Sequence, residues 1–132
     1  MLLHTIGRAG GPGVTDKWTT QYIFPGGYNP ALSEIVSANE SLRFMVTDVE
    51  VLRLHYAYTL DDWYDRTVAA RAQIVALYDE RFFRMWQFYL AGAGAAFHFG
   101  GLVNYQVQFA KNRHVLPITR DYMIEGERRL RR

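Results

Sequence analysis

The sequence predicts an α/β fold with about three strands and an inserted helical region. Three observations carry this prediction. An apolar segment, residues 1–6, opens the chain, and the runs 46–52 and 102–109 each alternate between apolar and polar residues. Between these two runs, apolar residues recur with the 3.6-residue period of helices. The order strand, loop, helix, strand, helix, helix, strand is typical of the back half of a doubly wound sheet.

The first forty residues predict a strand, a loop and a helix. Residues 1–6 predict a short buried strand, and the segment 7–13, with four glycines and a proline, predicts a loop because these residues break regular structure. The Phe-Pro-Gly-Gly sequence at 24–27 predicts a turn, since proline fixes φ and glycine permits positive φ. Pro30 marks the start of a helix whose apolar face continues to about Asn39.

The second strand, 46–52, is predicted to be half-buried. Val49 and Val51 face one side of it, and Asp48 and Glu50 face the other.

Two helices follow, and their starts are predicted from capping residues. Thr59 suits an N-cap with acidic residues in the first turn, and this helix extends to about Tyr78. Asp79 caps a second helix from Glu80 to about Phe99. This helix contains Gly92 and Gly94, each costing about 1 kcal/mol relative to alanine, so a bend or a close approach is expected there.

The amino-acid composition limits the kinds of protein and of binding site that this chain can be. The chain is 49% hydrophobic and 15% aromatic, which indicates a large aromatic core or a pocket for a long apolar molecule. No apolar run reaches the roughly 18 residues that a transmembrane helix needs. The chain has no cysteine, which excludes disulfides and thiolate metal sites and agrees with a cytoplasmic location. No His, Asp and Glu set has metal-ligand spacing, so no metal is predicted.

Charge divides the chain into two parts. Residues 1–110 carry eight Lys/Arg and ten Asp/Glu, a net of −2, whereas residues 111–132 carry seven and three, a net of +4. We therefore predict a folded part, 1–112, and a basic tail, 113–132. The tail is either simply solvated or attracted to an anionic membrane surface, at about 1 kcal/mol per basic residue. Nucleic acid is not predicted as a partner, because no recognition motif accompanies the charge.

The most specific motif is His-Tyr-Ala-x-Thr-Leu-x-x-Trp at residues 55–63. It follows the Phe-Pro-Gly-Gly turn by about thirty residues, and Leu-Leu-His-Thr-Ile stands at residues 2–6. With the later aromatic residues, these motifs resemble the C-terminal portion of the cyclopropane-fatty-acyl-phospholipid synthase family, which includes the mycolic acid cyclopropane synthases. The resemblance covers residues 1–110 and implies the C-terminal half of a class I, Rossmann-like methyltransferase.

The resemblance implies an enzyme that transfers a methylene or methyl group from S-adenosylmethionine to the double bond of an acyl chain in a membrane phospholipid. It also implies a bound bicarbonate that acts as the base, held by His4, the backbone of Ile6 and Tyr56. The alternative is that His4 is a structural histidine and Tyr56 a buried, hydrogen-bonded phenol. His55 either supports Tyr56 or merely ends a strand.

By the same resemblance, four residues are predicted to line an acyl-chain pocket: Phe24, Leu60, Tyr89 and Phe97. Ordinary core packing is the alternative for such aromatic residues. The family often has other residues where this chain has Ala93, Ala95 and His98, so the pocket wall and the preferred lipid are expected to differ.

The sequence lacks a cofactor half. No Gly-x-Gly turn leads from a strand into a helix with a ribose-binding acid, so the chain alone is not expected to bind S-adenosylmethionine. Three interpretations remain open: an enzyme fragment inactive without that half, a non-catalytic lipid-binding module, or a partner that completes a separately encoded cofactor half. The strand 1–6 would then lack a neighbour, which predicts self-association or pairing with such a half. The expected location is cytoplasmic, including the periphery of the inner membrane face.

Overall fold

The computed structural model describes residues 1–131 and contains a three-stranded sheet with helices on both faces; Arg132, the last residue of the basic run, lies outside the described part. The strands are β1 (Leu2–Arg8), β2 (Met45–Leu52) and β3 (Leu102–Ala110). The helices are α1 (Lys17–Tyr22), α2 (Leu32–Glu40), α3 (His55–Ala69), α4 (Arg71–Leu77), α5 (Glu80–His98) and α6 (Asp121–Leu130). The predicted α/β class and the three strands are confirmed.

The strand order is β1-β3-β2, and β3 is antiparallel to both neighbours. The three strands are therefore paired antiparallel, although β1 and β2 run in the same direction. The cause lies in the turn after α5. The N–H of Ala9 donates to the carbonyl of Gly101 at 2.8 Å, so β3 starts where β1 ends and runs back along it.

The two faces of the sheet are buried by different helices. On one face, Leu32 and Ile35 of α2 pack against a cluster formed by Val103, Tyr105, Val107 and Phe109 of β3. On the other face, α3 and α5 form a cluster of Ala57, Leu60, Leu90 and Phe97, which contacts Ile6 of β1 and Leu102 of β3. This second face positions the candidate site.

The start of α3 differs from the prediction. The helix begins at His55, and Thr59 lies inside it, where its hydroxyl donates to the carbonyl of His55 at 3.3 Å. A threonine inside a helix can form this bond to the carbonyl four residues earlier, although the residue is more favoured at a cap. Ala57 and Leu60 are both buried, and the three-residue spacing brings them to one face only if the helix already includes position 57.

The predicted helix to Tyr78 is divided in two. Ala70 separates α3 from α4, which contains no buried residue. By contrast, the prediction that Asp79 caps α5 is confirmed, because its carboxylate accepts the N–H of Phe82 at 2.6 Å.

The pattern of β2 is only partly as predicted. Val49 packs into the core, but Val51 is 42% exposed because β2 is an edge strand. A bulge falls between Val46 and Asp48. The Asp48 side chain is only 10% exposed, since it pairs with Arg120 at 2.6 Å.

The C-terminal segment is more structured than a tail. It contains α6, and the Tyr122 hydroxyl donates to the side chain of Gln108 at 2.9 Å, next to the Arg120–Asp48 pair. The division of the chain at residue 112 stays a prediction.

Among residues 1–131, the outer edge of β1 has no strand neighbour. Its end is covered, where the N–H of Arg8 donates to the carbonyl of Pro30 at 2.9 Å. Leu2 is 63% exposed, whereas Ile6 packs against the α3–α5 cluster.

Because an open strand edge is a template for pairing, we expect the mass measured by light scattering to rise with chain concentration. The matched control is Leu2→Lys, since an edge lysine opposes pairing, and it is expected to reduce this rise. A chain that stays monomeric across the series would contradict the prediction.

Candidate functional site

A cavity of about 740 Å³ lies between the end of β1, α1, the turn after α1 and the helices α3 and α5. Helix α5 forms one wall of this cavity, and this position accounts for the small residues in the helix. Its lining residues share one helix face by their spacing of three and four residues, and they are Phe88, Tyr89, Gly92, Ala93, Ala96 and Phe97. A Cβ added at Gly92 would meet nothing within 4 Å, so glycine here leaves the cavity open. Gly94 faces α3 instead, where an added Cβ would lie 3.9 Å from the Cβ of Leu60.

Aromatic rings from separate segments meet around the cavity. Phe24, in the turn after α1, packs edge-on against Tyr89 with ring centroids 5.8 Å apart. Tyr56, in the first turn of α3, packs edge-on against Phe97 at 5.1 Å. Trp18 of α1 makes the same contact with Phe88 at 4.9 Å. Such pairs add rigidity to an apolar wall beyond the area they bury.

The structure brings most of the sequence-predicted site residues together. Phe24, Tyr89, Phe97, Tyr56 and Ile6 all line this one cavity.

Leu60 is the exception among the residues predicted to contact lipid. It is 1% exposed, does not line the cavity, and packs in the α3–α5 cluster beneath it. It lies one turn after Tyr56 and packs into the helix–helix contact, and its contact with lipid stays a prediction.

The residues predicted to hold the anion are His4, Ile6 and Tyr56, which offer an imidazole, a backbone amide and a phenol hydroxyl as donors. His4 is exposed on the same face of β1 as Ile6, about 7 Å away along the strand. Its Nδ1 lies 3.4 Å from the side-chain nitrogen of Gln106, and its ring is not part of the cavity lining. His55, the first residue of α3, is exposed and does not line the cavity either.

The amide of Ile6 points away from β3. The amides of Ala9 and Phe109 bond to Gly101 and Met1, so the odd-numbered residues of β1 face β3. Hydrogen bonds in an antiparallel pair alternate along the strand, and therefore the N–H of Ile6 points to the open edge. It is the only one of the three donors fixed by the backbone.

Burial affects the protonation of the Tyr89 phenol. The pKa of Tyr89 is raised, first by burial and then by the nearby Tyr56 oxygen. Tyr89 therefore remains a neutral phenol at neutral pH, which suits an apolar wall.

Several lining residues were not predicted from the sequence. Trp18, Phe88 and Gly92 line the cavity, as do the polar residues Thr15 and Asp16. Asp16 carried a local signal, because its carboxylate accepts the N–H of Thr19 at 2.8 Å as the N-cap of α1. Phe88 stands four residues before Gly92, so helical spacing could have indicated it, and its side chain is 63% exposed in the structure.

The described residues do not fit a nucleoside cofactor. The glycine-rich segment after β1 is an irregular coil up to Asp16, and α1 has only six residues. The guanidinium of Arg8 occupies part of this coil, 3.2 Å from the position of a Cβ on Gly13. A strand–turn–helix that binds a ribose or its adjoining groups is absent from residues 1–131.

Comparison with known proteins identifies the family. The family model described as mycolic acid cyclopropane synthetase matches residues 1–107. The chain belongs to this family. The cyclopropane-fatty-acyl-phospholipid synthase of Escherichia coli K12 is 36% identical over 110 residues, covering 83% of this chain but 28% of that protein. The chain thus spans less than a third of the length of this curated relative.

Two solved members of the mycolic acid cyclopropane synthetase family have similar structures. The cyclopropane synthase MmaA2 from Mycobacterium tuberculosis superposes with a TM-score of 0.76 at 28% identity, covering 83% of this chain and 43% of that one. The mycolic acid cyclopropane synthase CmaA1, complexed with SAH and CTAB, gives 0.75 at 31% identity with the same coverage. No helix within residues 1–131 has the length and apolar character to cross a bilayer.

Proposed function

We propose that this chain is the acyl-chain-binding portion of a methyltransferase of the cyclopropane synthase type. The reaction transfers a methylene or methyl group from S-adenosylmethionine to the double bond of a phospholipid acyl chain. One observation carries the proposal: the aromatic cavity of about 740 Å³ is lined by Phe24, Tyr89 and Phe97, and Tyr56 and Ile6 reach the same space.

The cavity residues suit the chemistry of an alkene that passes through a carbocation. Aromatic ring faces attract positive charge, and a closed apolar wall keeps water away from it. Bicarbonate, when bound, supplies the base that accepts a proton from the new methyl group. In this chain the imidazole of His4, the amide of Ile6 and the hydroxyl of Tyr56 would hold it, since all three can donate to an anion.

The methyl donor has to be bound by residues outside this chain, because residues 1–131 do not fit it.

A second candidate function follows from the presence of the aromatic cavity. This chain alone supplies a cavity of about 740 Å³, so a non-catalytic lipid-binding module is consistent with the structure, as is a partner for a separately encoded cofactor half. In each case we propose a cytoplasmic protein that works at the surface of the membrane.

The cavity can be closed at one position without disturbing the fold. Gly92→Leu places a large side chain into the open space at Gly92, and we expect it to weaken binding of oleoyl lipids at least tenfold, about 1.4 kcal/mol. Quenching of Trp18 fluorescence on titration with an oleoyl lipid measures this, because Trp18 lines the cavity.

The matched control is Gly92→Ala. A methyl group meets nothing there, so oleoyl binding is expected to persist, and the helix should be stabilised by about 1 kcal/mol. If Gly92→Leu binds as tightly as the unchanged chain, the acyl chain lies elsewhere and the proposed function is wrong.

A further inference from the structure

A polar recess of about 450 Å³ adjoins the aromatic cavity. The two spaces share five lining residues, namely Thr15, Asp16, Asn29, Ala96 and Leu102. The recess differs in chemistry, because it adds Arg8 and the backbone of the glycine-rich coil, including Gly10 and Gly11. The apolar cavity for an acyl chain therefore adjoins a polar recess that is lined by the positively charged Arg8 and the negatively charged Asp16.

Arg8 is held in place by the backbone of the recess. Its Nε donates to the carbonyl of Asn29 at 3.1 Å, and its Nη2 donates to the carbonyl of Val14. Both carbonyls belong to residues that line the recess. Three of the five guanidinium N–H groups remain for another acceptor. Gly13 lies against the guanidinium, since an added Cβ would be 3.2 Å from Nη1.

The positive charge of Arg8 has no direct partner in the described chain. Within residues 1–131 it forms no ion pair. Glu34 is the carboxylate that it influences, but both oxygens of Glu34 are already engaged, by the Tyr28 hydroxyl at 2.6 Å and the Ala31 amide at 2.7 Å. A guanidinium fixed by carbonyls and free of a carboxylate suits a phosphate oxygen.

Two further groups in the recess suit a ligand. The hydroxyl of Thr15 is buried and has no hydrogen-bond partner within the described residues, which is costly unless something else supplies one. The Asp16 carboxylate accepts one amide, that of Thr19, and forms no ion pair within residues 1–131. An ionised carboxylate beside the phosphate position would oppose an anionic head group and attract an ammonium.

We infer that this recess binds the head group of a zwitterionic phospholipid whose acyl chain lies in the aromatic cavity. Arg8 and the Thr15 hydroxyl donate to the phosphate, and Asp16 accepts from the ammonium. This inference rests on the proposed function and adds to it a head-group preference.

The test compares three ligands with the same single oleoyl chain: lysophosphatidylethanolamine, lysophosphatidylglycerol and monooleoylglycerol. Trp18 fluorescence follows binding to the full chain. We expect the ethanolamine lipid to bind at least tenfold more tightly than monooleoylglycerol, as one hydrogen-bonded charge contributes about that factor. Glycerophosphoethanolamine, which has the head group without the chain, is expected to compete only weakly.

Three substitutions assign the contacts. Arg8→Gln should remove the advantage of the ethanolamine lipid over monooleoylglycerol while leaving monooleoylglycerol binding unchanged. Asp16→Asn keeps a helix cap and should remove the preference for the ethanolamine over the glycerol head group. Thr15→Val should weaken phospholipid binding and raise the Tm of the free chain, because the unpaired hydroxyl is gone.

The outcomes separate the two proposals. If monooleoylglycerol binds but the phospholipids bind no better, or if Arg8→Gln changes nothing, the head-group inference is wrong and the acyl cavity stands. If none of the oleoyl ligands binds, the proposed function fails and the inference fails with it. If glycerophosphoethanolamine binds as tightly as the lipid, the recess is a site for a soluble phosphate ester and the lipid assignment is overturned.

Discussion

Replacing Tyr56 with phenylalanine is expected to lower turnover about a hundredfold when the chain is assayed with a complementary cofactor-binding half. Removing one donor that holds a catalytic anion has an effect of about this size. Tyr56 lines the cavity and its ring packs against Phe97 and Trp63, so phenylalanine preserves the apolar contacts and removes only the hydroxyl. The measurement is kcat on a phospholipid that carries an unsaturated acyl chain.

A matched control lies on the same helix. The Tyr64 hydroxyl accepts from the Gln87 side chain at 3.0 Å and does not line the cavity, so Tyr64→Phe should leave kcat nearly unchanged. The affinity for oleoyl lipid should be the same in both variants. Turnover that survives Tyr56→Phe would remove this residue from the anion site.

Truncating Leu60 to alanine is expected to lower the free energy of unfolding by about 3 kcal/mol, within the range for buried leucines. Leu60 is 1% exposed and packs with Ala57, Leu90 and Phe97 where α3 meets α5. Urea denaturation followed by circular dichroism measures the loss. Because α3 and α5 also carry cavity residues, the folded fraction should be checked before lipid binding is compared.

Val68→Ala serves as the control for Leu60. Val68 lies on the same helix but is 42% exposed, so its truncation should change stability far less. A Leu60→Ala variant that keeps its stability but binds oleoyl lipid more weakly would contradict this prediction. It would restore Leu60 to the lipid wall, as the sequence predicted, and remove it from the core.

Local signals in the sequence predicted much of the secondary structure, whereas the predicted cavity residues came from the family motifs. Asp79 marks the start of α5 correctly because capping depends on residues three positions apart. The alternation in β3 survives from Tyr105 to Phe109, because α2 packs on the face of Tyr105, Val107 and Phe109 while the glutamines between them stay partly exposed. The same alternation in β2 fails at Val51, since an edge strand does not bury every apolar position. Phe24, Tyr56, Tyr89 and Phe97 were predicted from family motifs, not from periodicity, and they do line one cavity.

The sequence by itself determined the class of fold, the three strands, the Asp79 cap of α5 and the family. Only the tertiary structure decided the antiparallel order, because strand pairing depends on where α5 returns the chain and not on the residues of each strand. It also decided that Leu60 packs between helices while Tyr89 lines the cavity. The spacing of apolar residues predicts which side of a helix is buried, but it does not predict what packs against that side. The tertiary structure likewise decided the hydrogen bonds from Arg8 to the carbonyls of Val14 and Asn29, because they depend on how the glycine-rich coil folds back on β1.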